Sequence, residues 1–172
     1  MTLITSLLLV FHVVLTGAMT GIMWFVQLAY YPNLQFVGDG QYEHYEREHL
    51  RRISRPAWCF LAVELLTAVS ALCCSPPEIR WALGTNLLLL LVIWSSTYFI
   101  QVPLHRLLAD RFEASTHRRL VVSNWLRTAS YTMRALLLTV VLSGIFAHSL
   151  FEDDEPRRSL QVADQLGQAG KQ

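Results

Sequence analysis

Apolar positions fill four long runs of the chain, and short polar stretches separate them. A membrane-crossing helix needs about 20 mostly apolar residues. Runs over about 3–31, 57–74, 81–101 and 124–150 meet or nearly meet that length. The pattern predicts an all-α integral membrane four-helix bundle over 1–151. A flexible polar tail is expected over 152–172, where "EDDEPRRSLQVADQLGQAGKQ" shows no core periodicity. Pro76 and Pro77 close the second run and Pro103 the third, because proline cannot continue a helix ladder. Gly38 and Gly40 mark a turn after the first run, and Pro56 marks a break before the second. The segment between them, 41–54, reads as an amphipathic helix in the first loop, at the membrane interface.

Polar residues inside these runs fall on stripes. Asn124, Arg127, Tyr131 and Arg134 step by three, four and three, which is one helical face. Thr97, Gln101 and His105 step by four. Trp24, Gln27 and Tyr31 form a third stripe, and Tyr42, Tyr45, Glu46 and His49 a fourth. In an antiparallel bundle all of these collect at one end, and the opposite half reads as aliphatic apart from His12. Glu64 and Arg134 lie within about ten residues of that end, roughly 10–15 Å deep at ~1.5 Å per residue. An isolated charge there costs at least about 3 kcal/mol. A buried Glu64–Arg134 ion pair is therefore expected.

Composition supports a membrane setting. Hydrophobic residues make up 53% of the chain and charged residues 16%, well below the roughly 25% of soluble domains. A net charge of +1 argues against nucleic acid as a partner and leaves the lipid bilayer. The N-terminal run has no basic flank and outlasts a signal-peptide core, so it reads as a retained span. Cys59, Cys73 and Cys74 form no CxxC pair and are expected to pack in the apolar interior. Arginines crowd the first and third connections, as Arg47, Arg51, Arg52, Arg55, Arg106, Arg111, Arg118 and Arg119. The positive-inside rule then places those connections in the cytoplasm and both termini outside.

Three chemistries suit the polar end. Glu46 and His49 have Glu-x-x-His spacing, and with His105 they are candidate metal ligands. His12 and His148 are the pair best matched in depth for haem. Without a cofactor, the groups form a polar pocket at the cytoplasmic leaflet for a small amphipathic or quinone-like molecule. In that reading Glu64, His49 and Arg134 are the candidate catalytic groups. Gln27, Tyr31, Gln101, His105, Asn124 and Arg127 are the candidate substrate-binding groups. Oxidoreductase activity is the expected use of such a pocket. The alternative is a non-catalytic membrane subunit whose polar cluster is structural or docks a partner.

The stretches "VQLAYYPNL", "YEHYEREHLRRISRP", "VELL", "STYFIQVPLHRLL" and "NWLRTASYTMRALLL" together resemble a group of uncharacterised four-span bacterial membrane proteins. The shared pattern runs Q-x-x-x-Y-P, Y-H-x-x-H, a glutamate in span two, Q-x-P-x-H and N-W-x-R-T-x-x-W-x-x-R. It covers about 27–138. Glu46 stands where the pattern has its first histidine, and Tyr131 where it has its second tryptophan. More remotely the layout is similar to the anthrone-oxygenase-like membrane family, which implies oxygenation of a phenolic or polycyclic substrate. It is also loosely similar to the four-helix membrane protoporphyrinogen oxidase.

Overall fold

Each apolar run becomes a helix whose ends are set by local chemistry. In a computed structural model the chain is all-α; residues 2–37 and 40–169 are described, with side chains for 2–37 and 40–147. Helix α1 spans Leu3–Phe36, α2 Tyr42–Cys74, α3 Pro77–Asp110 and α4 Ala114–Ala169. All four contain stretches long and apolar enough to cross a membrane, so this is a multi-pass integral membrane protein. Thr2 caps α1 by accepting from the Thr5 amide at 3.2 Å. Ser75 follows the last residue of α2, and Pro77 opens α3, where its missing N–H is no loss. The turn into α2 needs Gly40, whose φ is +79°.

The segment 41–54 is helical as expected, but it is joined to the second span. Pro56 lies inside α2. It removes one ladder hydrogen bond, and the apolar run beyond it carries the helix on. The prolines of α1 and α3 act differently. A π-helical turn covers Val26–Tyr30, and another covers Thr97–Gln101. Pro32 and Pro103 each follow two residues after such a turn. A proline crowds the carbonyl four residues back, and one wide turn relieves that clash. Both wide turns carry side chains that matter below, Gln27 and Gln101.

The chain divides into two compact units, Met1–Leu138 and Thr139–Gln172. The second is the C-terminal run of α4, helical through Ala169. The expected tail over 152–172 falls outside the residues whose side chains are described, as does His148. In the first unit the loop-side ends of all four helices meet. Phe112 donates its amide to Glu43 at 3.2 Å, and Arg47 donates to the Ala109 carbonyl at 2.7 Å. His117 bonds the Tyr31 carbonyl at 2.9 Å.

The bundle is polar within and apolar without. Leu7, Leu66, Leu88 and Leu136, one from each helix, are 60–68% exposed, while Glu64 and Arg134 are 0% exposed. Lipid solvates that outer surface. The cysteines belong to it as well. Cys59, Cys73 and Cys74 are exposed rather than buried, because the inner stripe of α2 is already taken by Leu61, Glu64, Thr67, Ala68 and Ala71.

Candidate functional site

Polar side chains occupy two levels of the bundle. Between them lies an apolar layer of Met19, Met23, Leu61 and Ile93, with Trp58 and Trp94 packed against it.

The deeper level centres on the expected ion pair. Arg134 Nη1 donates to Glu64 Oε1 at 2.9 Å. Tyr131 Oη donates to Glu64 Oε2 at 2.6 Å, and Thr16 reaches Oε1 at 3.4 Å. The remaining Arg134 donors find Asn86 Oδ1 at 3.3 Å and Thr16 Oγ1 at 3.4 Å. The guanidinium also lies 5.3 Å from the Tyr131 ring centroid. His12 completes the level, with Nδ1 at 2.8 Å from Thr67 and Nε2 at 3.2 Å from Asn86. Both of its ring nitrogens are engaged within the protein, so His12 is a hydrogen-bonding residue of the bundle here. The opposite half is thus less aliphatic than expected: Thr16, Thr67 and Asn86 are all buried in it. His12 and Thr16 stand four residues apart, a stripe that the sequence carried.

The second level lies at the arginine-rich end. Its centre is a row of three buried groups on three helices. Glu46 of α2 accepts from His105 Nδ1 of α3, and His105 Nε2 lies 3.0 Å from the Tyr31 hydroxyl of α1. With Glu46 ionised, Nδ1 carries the proton and the tyrosine hydroxyl donates to Nε2, an assignment fixed by the hydrogen-bond network. Glu46 is 0% exposed. Beside this row, His49 Nδ1 lies 2.8 Å from the Tyr30 hydroxyl, which also accepts from Tyr45 at 3.2 Å. The His49 and His105 rings are 6.0 Å apart. On the α4 side, Asn124 donates to Gln27 at 2.9 Å and Arg127 donates to Asn124 at 3.3 Å. Gln101 donates to Ser123 at 2.9 Å.

Gln27, Tyr31, Glu46, His49, Gln101, His105, Asn124 and Arg127 therefore come together, while Glu64 and Arg134 lie on the deeper level. His117 and Tyr30 joined the upper level without being anticipated. His117 stands seven residues before Asn124, so the α4 stripe extended one more turn pair than was read. Among the described residues no three His, Cys, Asp or Glu side chains form a group fit to hold a metal ion. Glu46 and His105 are instead bonded to each other, and His49 to Tyr30. Glu46 and Tyr131, the two departures from the resembled motifs, both make interhelical hydrogen bonds.

The two levels differ most in what is left over. Among the described residues, seven buried side-chain polar atoms lack a hydrogen-bond partner. Four of them belong to the upper level: Tyr42 Oη, Glu46 Oε2, Gln101 Oε1 and Arg127 Nε. None belongs to the deeper level. Each such atom costs roughly 1–3 kcal/mol. Among the described residues Arg127 also forms no ion pair with a carboxylate. No protein family, curated protein or solved structure matches the chain.

Proposed function

We propose that the upper level is a binding site for a small amphipathic molecule with a phenol- or quinone-like head, entering from the membrane. The observation that carries this reading is the cluster of unpartnered buried groups around the Glu46–His105–Tyr31 row. Glu46 Oε2 is free to accept, Arg127 Nε to donate and Gln101 Oε1 to accept, and Tyr42 offers a hydroxyl. A phenol or quinol hydroxyl among them would donate to Glu46 Oε2 or Gln101 Oε1 and accept from Arg127 Nε, completing bonds the protein leaves open, whereas a quinone carbonyl could only accept, from Arg127 or Tyr42. The row itself suits proton exchange. A proton arriving at the Tyr31 oxygen can be relayed to His105, and the Glu46 carboxylate stabilises the imidazolium that results. This is the proton-handling half of the expected oxidoreductase chemistry. The arginine bias of the connections puts the site in the cytoplasmic leaflet.

Glu64 and Arg134 take a structural role in this reading: they lock four helices in register. The alternative of a non-catalytic subunit fits that deeper level alone. The test is a titration of detergent-purified protein with a decyl-substituted benzoquinol kept reduced, whose hydroxyl can donate to Glu46, followed by tryptophan quenching. Wild type is expected to quench saturably. Arg127→Ala and Glu46→Gln should each weaken binding by about tenfold or more, given the strength of hydrogen bonds to charged groups. Arg51→Ala, at an exposed arginine paired with Glu48, should bind as wild type does. Equal quenching by all four proteins would leave the upper level without this function.

A further inference from the structure

A long groove runs along the outer face of α3 and α4, touching the upper polar level only through Ser123, which accepts from Gln101. Its wider part, about 960 Å³, is lined by Phe99, Pro103, Leu104, Val122, Arg118 and Arg119, among others. A narrower part of about 490 Å³ continues from it through the shared Phe99 and Ile100 to Leu88, Leu91, Val92 and Leu126. From Leu104 to Leu88 is sixteen residue steps of α3, roughly 24 Å at ~1.5 Å per residue. That is the order of length of an extended acyl chain. The bed is mostly apolar, interrupted by serines such as Ser95, Ser96 and Ser123, and the cations stand only at the loop end.

The charges at that end are only partly spent within the protein. Arg51 and Arg52 both close on Glu48, whereas Arg118 and Arg119 make no ion pair or hydrogen bond among the described residues. Glu113 accepts from the hydroxyls of Ser115 and Thr116 at 2.6 and 3.1 Å, which ties it to the first turn of α4. Those bonds first, and the charges of Arg111 and Arg119 after them, hold its carboxyl below the usual range, so Arg119 feels Glu113 without pairing with it, while Arg118 does not act on it.

We infer that the α3–α4 groove is a seat for one anionic phospholipid, its phosphate held by Arg118 and Arg119 and one acyl chain laid along Phe99, Val92 and Leu88. Guanidinium groups suit phosphate through paired donors. Charge complementarity selects the anionic head, and the length of the apolar bed selects a lipid over a soluble anion. The seat is separate from the Glu46–His105–Tyr31 row, so either assignment can fail without the other.

The experiment is native mass spectrometry of the full chain released from detergent after addition of phosphatidylglycerol or phosphatidylcholine. The expected result is a one-to-one adduct with phosphatidylglycerol that outlasts the phosphatidylcholine adduct. An R118A/R119A variant should lose it by about tenfold or more, since each basic residue near an anionic lipid contributes substantially. Both arginines are exposed, so the variant keeps its fold, and an unchanged elution volume verifies that. A Val122→Trp variant, which fills the wider part of the groove while leaving both charges, should lose the adduct too. Equal retention of both lipids by wild type, or an undiminished phosphatidylglycerol adduct in either variant, overturns the proposal.

Discussion

The deeper and upper polar levels are built from the same kinds of residue, yet only one of them is closed. At the deeper level Glu64 has both carboxylate oxygens occupied, and Arg134 spends its donors on Glu64, Asn86 and Thr16. At the upper level Glu46 uses one oxygen and Arg127 meets no carboxylate. In hydrocarbon an unsatisfied polar group has no water to turn to, so leftover bonds are expensive. A bundle needing only register would have closed both levels. The comparison teaches that depth and charge alone do not separate a site from a structural lock, whereas hydrogen-bond completeness does.

The largest effect expected from breaking this contrast is at Arg134. Arg134→Met leaves Glu64 buried and unpaired, and should cost about 3–5 kcal/mol in detergent-denaturation experiments. The double change Glu64→Leu with Arg134→Met should recover most of that loss, because a buried pair replaced by apolar groups is often near neutral. A double variant no more stable than Arg134→Met would deny that the two act as a pair. Next in size is Tyr131→Phe, which removes the 2.6 Å bond to Glu64. Loss of a hydrogen bond to a charged group predicts about 1.5–3 kcal/mol, read from the same unfolding midpoint. Smaller still is Glu46→Gln, where the shape is kept and one oxygen already lacks a partner. Its stability should stay within about 1 kcal/mol of wild type, while quinol quenching weakens. Smallest is Arg51→Ala, on the exposed face of α2, whose midpoint should not move.

Much of the fold was legible because a membrane allows so few solutions. Run lengths gave four helices, and the stripes on α3 and α4 pointed inward as their spacing required; on α1 Gln27 and Tyr31 did, whereas Trp24 faces outward at 38% exposure. Glu64 and Arg134 could be paired because two lone charges at one depth have no cheaper arrangement. Pro56 was misleading, since a proline within a long helix reads in sequence like a boundary. The wide turns before Pro32 and Pro103 are backbone responses that no side-chain pattern announces. Separating the levels also needed coordinates. Depth read from residue counts is good to about a turn, and the layer of Met19, Met23, Leu61 and Ile93 is only a few turns thick. Asn86 and Thr16 were passed over because single small polar residues are common in spans. Their roles emerge only from facing Arg134. The cysteines were placed inside on the habit of soluble proteins, whereas a lipid-facing surface accepts them as readily.

The most direct test of the contrast needs no ligand: unfolding midpoints of Glu64→Gln, Arg134→Met, Glu46→Gln and Arg127→Met, measured side by side in one detergent. If the deeper level is a closed lock and the upper level an open site, the first two variants fall clearly below wild type. The last two then stay close to it, since what each gives up, the charge on the Glu46–His105 bond or the Arg127–Asn124 bond, is offset by removing an atom the fold leaves unsatisfied. Equal losses in both pairs, or larger losses at Glu46 and Arg127, would contradict the account.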